Sequence, residues 1–346
     1  MFLTLLSAFL ITAVALVALR PFAVRIGLVD NPGGRKTHAS PTPMIGGLAI
    51  YLGTLSICIL SPAIINDYKS LLALSGFVLL VGVLDDLYEI RVSLRMAMHA
   101  TAAWGMAVTA NVQLTSLGDI TFSGPIELGL LAIPVTIFAT VGVINAINMS
   151  DGLDGLSGGL SVISLALLSV AALSAGQSTL LSFSEILIVS LMAFLAFNFR
   201  LIWKKSALVY LGDAGSTMLG FIIAWLMIAS TQGNKAFIAP VYALWFLAVP
   251  LMDTVSLMIR RPLRGNSPFK PGRDHLHHRL LNMGFDTKQT VLIIHGAALA
   301  LGGIGLAGHF AGAPESLMFM LFITLFVIYL FASRHPLSEE RHSLKR

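Results

Sequence analysis

The chain is poor in charge and nearly free of cysteine. Asp, Glu, Lys and Arg make up only 11% of its 346 residues, against about a quarter in an ordinary soluble domain. Together with 56% hydrophobic residues and a mean hydropathy of +0.85, that scarcity excludes a water-soluble fold and implies an integral membrane protein. The single cysteine, Cys58, excludes a disulfide framework and a thiolate metal site. No basic segment precedes the first apolar run, residues 1–19; Arg20 and Arg25 follow it. That order fits a first membrane helix and not a cleaved signal peptide. Internal repeats and low-complexity tracts are also missing. The pI near 9.5 does not call for nucleic acid, because basic residues beside membrane spans account for it.

What is present is a series of apolar runs of a length that can cross a bilayer core of about 30 Å. They fall at 1–19, 45–65, 71–84, 96–112, 129–144, 158–175, 184–203, 214–230, 236–258, 290–312 and 316–333. The expectation is an all-α polytopic membrane protein of about eleven transmembrane helices, a single domain over 1–346, with one long loop at 259–289. Placing alternate connectors on alternate sides puts twenty of the 22 Lys and Arg residues on one side, with only Lys69 and Lys235 on the other. The positive-inside rule then sets the N-terminus outside and the C-terminus in the cytoplasm.

The stretch that organises the rest is 145–159, NAINMSDGLDGLSGG. Asp151 and Asp154, three apart, can share one face of a helical turn, and the glycines allow close approach of a ligand or a helix. A plain polar connector would explain one Asp and two Gly, but not two Asn, two Asp and four Gly together. Asp85 and Asp86 end an apolar run within GVLDDLYEIR; adjacent carboxylates that both ionise need a cation or a basic partner. Asp213 lies in YLGDAGST, where backbone N–H groups opening a helix can face an anion. Asp253 lies two turns inside its span from Arg260 and needs a partner or a cavity. The loop beyond it carries SPFKPGRDHLHHRL, in which His275 and His278 would share a helix face and His277 would diverge. A further loop, 30–47, holds Arg35, Lys36 and His38 among Gly and Pro. These acids, basic clusters and glycines all map to one edge of the bilayer. Oxygen-only acidic sites suit Mg²⁺ shared with substrate phosphates, and cationic groups beside them hold further phosphates. Mg²⁺-assisted phosphoryl-group chemistry on a cytoplasmic anionic substrate follows.

GVLDDLYEIR, NAINMSDGLDGLSGG, YLGDAGST and the HLHH run, in that order, resemble the bacterial polyprenyl-phosphate N-acetylhexosamine-1-phosphate transferases. DNPGGRKTH…PTPMIGG and SPFKPGRDHLHHRLLNMGF are similar to the branch that initiates cell-surface glycans such as O-antigen. The resemblance implies about eleven spans in the bacterial cytoplasmic membrane and transfer of GlcNAc-1-phosphate from the UDP-sugar to undecaprenyl phosphate, with release of UMP. It implies Mg²⁺ (or Mn²⁺) held by Asp213 and Asp86, and catalytic roles for Asp85, Asp86, Asp154 and His278. Lys36, His38, Asn148, Asp151, Arg273, His275 and His277 would bind substrate. A homodimer stays open. The nearest alternative is the phospho-N-acetylmuramoyl-pentapeptide transferase of peptidoglycan synthesis. From another class, a secondary transporter of an anionic solute would place its charges near the midplane on repeated, broken helices. One departure is visible: many relatives show FNFxPA before the GDAGS motif, whereas Asn198 here is followed by FRLIWKKSALVY. Because a phosphate monoester is roughly nine-tenths dianionic at neutral pH, direct attack by the lipid phosphate is expected, with Asp85 as positioner or weak base and a covalent aspartyl intermediate as the alternative.

Overall fold

The computed structural model describes residues 1–31, 41–199, 207–267, 272 and 274–333. The helices are α1 (Phe2–Ile26), α2 (Gly46–Ile59), α3 (Pro62–Tyr88), α4 (Val92–Ala110), α5 (Ala132–Met149), α6 (Leu156–Ser174) and α7 (Ser178–Asn198). They continue as α8 (Gly212–Thr231), α9 (Pro240–Phe246), α10 (Ala248–Leu263), α11 (Leu276–Asn282), α12 (Thr287–Phe310) and α13 (Glu315–Ala332). A two-stranded antiparallel ribbon, β1 (Val29–Asp30) and β2 (Thr42–Pro43), precedes α2. Among the described residues eight helices are long and apolar enough to cross a membrane, or nine with the bent pair α9–α10 counted as one span. The chain is therefore a predominantly helical, multi-pass membrane protein.

Three expected spans are drawn differently. The runs 45–65 and 71–84 were expected to be separated by a connector at 66–70, yet α2 stops at Ile59 and α3 runs unbroken from Pro62. Pro62 occupies the first helical position, where its missing N–H leaves nothing unsatisfied. Asn66, Asp67 and Lys69 lie exposed on the early turns of α3, while Tyr68 turns inward onto the Phe183 ring, centroids 4.7 Å apart. Hydropathy dips there without the helix ending. The run 236–258, expected as one span, bends by 87° between α9 and α10. Pro250 in the first turn of α10 has no N–H, and its ring excludes the carbonyl four residues back. That carbonyl, on Phe246, instead accepts the Ser164 hydroxyl at 2.8 Å, so it is not left unpaired in the bundle.

α8 is the axis of the fold: 94% of its apolar window is enclosed by protein. Small residues make that possible, since a Cβ on Gly82 of α3 would fall on the Ala214 backbone, and one on Gly220 would meet the Ile144 backbone. Close backbone approach through small residues is how membrane helices gain packing without a hydrophobic drive between them. The approach to α8 is stitched to the ribbon end. Tyr210 N donates to Pro43 O at 2.8 Å and Gly46 N to Tyr210 O at 2.9 Å.

Candidate active site

The carboxyl ends of α3 and α5 meet the amino ends of α4 and α8 at one end of the bundle. Asp86 on α3 turns both carboxylate oxygens onto α8, accepting from Asp213 N at 2.9 Å and Ala214 N at 3.1 Å. The amides expected to face an anion thus face one, and it is a side chain of the same protein; a carboxylate at a helix amino end is favoured by the dipole. Asp213 is held in turn by Asn148 Nδ2 at 2.8 Å, and the same amide nitrogen donates to Ser216 Oγ at 2.9 Å. Arg95 of α4 joins the group, bonding Asp85 directly and reaching Asp213 Oδ2 at 3.2 Å. The side chain of Asp213 is 40% exposed and that of Asp85 only 5%. Asp213 can therefore meet a ligand, whereas Asp85 is closed off beneath a guanidinium.

The connector 150–155 is a run of turns, so the helical-turn geometry expected for Asp151 and Asp154 is not what aligns them. Asp151 N bonds back to Asn148 O at 3.0 Å, which keeps the start of the connector beside Asp213. Asp151 is open to solvent by surface yet stands in a recess of protein. Desolvation there, and then the charges of Asp213, Asp86 and Asp154, raise its carboxyl well above the usual carboxylate range. Gly155 closes the connector in the left-handed region at φ 82°, where a side chain would also strike the Phe199 ring.

The histidines come to the same place. His275 does not share a face with His278, because it lies outside α11 as its N-cap residue. His277, expected to diverge, instead stacks on His275 with centroids 5.5 Å apart and lies 4.2 Å from the His278 ring. A Cβ on Gly152 would fall on His277 Nε2, so the histidine helix docks directly on the DGLDG connector. Burial first, then the neighbouring His278 and His275, pushes His277 down to about 3 against the pull of Asp253. It is neutral at pH 7 and contributes contact and hydrogen bonding, not charge. Asp253 anchors this group: its Oδ2 lies 3.0 Å from His275 Nδ1, and its Oδ1 accepts from Leu276 N at 3.0 Å. An ionised carboxylate only accepts, so His275 carries its proton on Nδ1. Nearby, burial alone would raise Asp274, but the Arg261 hydrogen bond and charge outweigh it and hold Asp274 below the usual range. That pair closes at 2.7 Å.

The structure thus brings together Asp85, Asp86, Asn148, Asp151, Asp154, Asp213, His275, His277 and His278. Lys36, His38 and Arg273 lie outside the described residues. The sequence reading did not assign Arg95 to the site, and it marked Asn198 only by the unusual residues that follow it. Arg95 is ten residues beyond Asp85, across a turn that folds α4 back along α3. Asn198 joins two loops of the site, its Oδ1 accepting Gly155 N at 2.7 Å and its Nδ2 donating to Val209 O at 2.9 Å.

The donor set bears on a metal. Among the described residues no three His, Cys, Asp or Glu side chains converge tightly enough to hold an ion by themselves. Accessible oxygen donors from Asp213 and Asp151 suit Mg²⁺, which usually takes one or two carboxylates and completes its shell with water and substrate phosphate. The residues fit a shared Mg²⁺ and do not form a closed protein cage.

The family model for glycosyl transferase family 4 matches residues 68–231, the part that contributes Asp85, Arg95, Asp151, Asp154 and Asp213. An undecaprenyl-phosphate α-N-acetylglucosaminyl 1-phosphate transferase of Escherichia coli is 37% identical over 326 residues, covering 94% of this chain and 89% of the relative. The Haemophilus influenzae protein of the same name is 38% identical over 335 residues, covering 96% and 93%. The Yersinia pestis one is 36% identical over 326 residues, covering 94% and 89%. With the carboxylate ends, the DGLDG connector and the histidine helix assembled at one end of a helical membrane bundle, the chain belongs to glycosyl transferase family 4.

Proposed function

We propose that the protein transfers GlcNAc-1-phosphate from UDP-GlcNAc to undecaprenyl phosphate, releasing UMP, as a multi-pass enzyme of the bacterial cytoplasmic membrane. The observation that carries the reading is Asp213: a solvent-reaching carboxylate held by Asn148 and Arg95 and ringed by further carboxylates. Relatives named for this transfer span nearly the whole chain. Counting α9–α10 as one crossing and adding α2 and α4 gives eleven crossings, and the charge asymmetry then sets the carboxylate end in the cytoplasm, where nucleotide sugars are. Labelling of a cysteine placed at Ser267 from the periplasmic side would overturn that orientation.

Asp213 and Asp151, with Asp86 behind them, would hold Mg²⁺, which supplies charge neutralisation to a transferring diphosphate. Asn148 fixes the rotamer of Asp213. Arg95, bonded to Asp85 and Asp213, keeps two acidic side chains close together and presents positive charge to an arriving lipid phosphate. Neither member of the Asp85–Asp86 pair is poised as a nucleophile: Asp85 is buried under Arg95, and both oxygens of Asp86 accept backbone amides. That supports direct displacement by the lipid phosphate over a covalent aspartyl intermediate, with Asp85 as a positioner. His278, beside the neutral His277, would meet the diphosphate side of the substrate. A lateral apolar cavity of about 300 Å³, lined by residues such as Val143, Leu247 and Leu251, gives part of the polyprenyl tail a place beside the α9–α10 bend.

The test is purified protein with undecaprenyl phosphate, Mg²⁺ and a panel of UDP-sugars, following UMP. UMP should appear with UDP-GlcNAc, and only when the lipid is present. Turnover with the UDP-muramyl pentapeptide alone would transfer the reading to the peptidoglycan branch, and UMP exchange without lipid would restore the aspartyl intermediate.

A further inference from the structure

We propose that Tyr329, on the last helix, is a positioning residue of the active site that acts on the UDP-sugar half of the reaction through Asp253 and the histidine helix. α13 is the least enclosed kind of helix in the bundle, with 17% of its apolar window buried, and it carries none of the motifs. Its last turns are nevertheless tied to the site by polar bonds. The Tyr329 hydroxyl donates to Asp253 Oδ1 at 2.7 Å. Arg260 Nη1 and Arg279 Nη1 donate to Ser333 O at 2.6 and 2.8 Å, cations placed where a helix carboxyl end favours them. One guanidinium comes from α10 and the other from α11, so the end of α13 fixes the two elements that flank the histidine loop.

Asp253 is where this tether becomes functional. Its buried carboxylate accepts from three sources: Tyr329 on α13, the Leu276 amide that opens α11, and His275. The Leu276 and Tyr329 bonds fall on one oxygen and the His275 bond on the other, so the phenol sets the rotation of a group that orients His275 and starts the helix bearing His277. His277 in turn rests on Gly152. The path from Tyr329 to the DGLDG connector is a chain of direct contacts, and each step has a fixed direction. Although α13 is largely exposed, Tyr329 is half-buried and packs inward on the cluster that includes Trp245 and Met252, which carries the hydroxyl to the carboxylate.

The kinetic arm of the test rests on the transferase reading; the spectroscopic arm does not. Tyr329→Phe keeps the ring and removes the donor. Per folded molecule isolated by size exclusion, kcat/KM for UDP-GlcNAc should fall roughly tenfold, as for other outer partners of site residues, while the KM for undecaprenyl phosphate stays put. In an Asp253→Asn background the same change should add nothing, since the pathway is already cut. Thr324→Val, on the exposed side of α13, should leave both substrates unaffected. In ¹⁵N-histidine spectra without substrate, the Nδ1 resonance of His275 should shift in Tyr329→Phe. Unchanged kinetics, equal losses for both substrates, additivity with Asp253→Asn, or an unmoved His275 resonance would each overturn the proposal. Wild-type protein that releases no UMP from any UDP-sugar would sink the transferase reading instead, and the His275 resonance would still decide the role of Tyr329.

Discussion

The two halves of the site are held in different ways. The carboxylate half is fixed by backbone: Asp86 binds the first amides of α8, and α8 is enclosed on almost every side. The histidine half is held by side chains: Asp253 on His275 and Leu276, Arg261 on Asp274, and Arg260 and Arg279 on the end of a peripheral helix. In the first half a side chain can be altered without moving the helix ends that carry it. In the second, position and hydrogen bonding are the same thing, and loss of a bond is loss of a place. The first half therefore suits charge that must be brought close, and the second suits substrate recognition by a loop.

That contrast can be broken in order of expected damage. Asp213→Asn removes the exposed carboxylate while leaving the Asn148 partner an oxygen to meet; turnover should drop on the order of a thousandfold with unchanged thermal stability, read by UMP release and a melting curve. A large loss of melting temperature would mean that the carboxylate half is not backbone-held. Arg95→Gln should act oppositely, costing about 3 kcal/mol of stability because it leaves Asp85 buried and unpaired. Adding Asp85→Asn should return most of the stability without the activity. Gly152→Ala addresses the joint between the halves. Its methyl group lands on His277 Nε2, and activity should fall about tenfold; combining it with His277→Ala should cost less than the two losses multiplied.

The smallest effect concerns pH. The Asp151 carboxyl is raised above its usual range by desolvation and by its acidic neighbours, so in metal-free protein it keeps its proton to higher pH than in the unfolded chain. A divalent ion must displace that proton. Apparent Mg²⁺ affinity, measured by calorimetry, should climb as pH rises through the raised pKa and level off above it, and Asp151→Asn should flatten the climb. The crowding has the matching sign for stability: as pH rises and the proton leaves, metal-free protein should weaken, and Mg²⁺ should restore it.

The carboxylates and histidines were legible because membrane-edge acids, glycine clusters and paired histidines are improbable as mere connectors. Their arrangement was less so. The α3 extension through 66–70 was hidden because polar residues on the early turns of a helix lower hydropathy just as a loop does. The break before α10 could have been read from Pro250, but its tolerance depends on Ser164, far away in sequence, satisfying Phe246 O. The neutrality of His277 follows from burial against Gly152, which no local pattern reports. Arg95 carried a spacing signal once a turn after Asp86 was allowed for. Tyr329 carried none: an apolar helix near the chain end gives no cue that one hydroxyl reaches Asp253.

The enclosure of α8 has a consequence for how the protein meets its solvent. Membranes differ in thickness, and helices in contact with acyl chains answer by tilting or sliding at a cost of fractions of a kcal/mol per Å of mismatch. α1 and α13, largely lipid-facing, must absorb such changes. α8 has almost no lipid boundary through which thickness could act, so the end that carries Asp213 is insulated from the composition of the bilayer. The same chain should keep its carboxylate geometry in short- and long-tailed lipids, with any sensitivity to thickness entering through the outer helices and the histidine half that α13 supports.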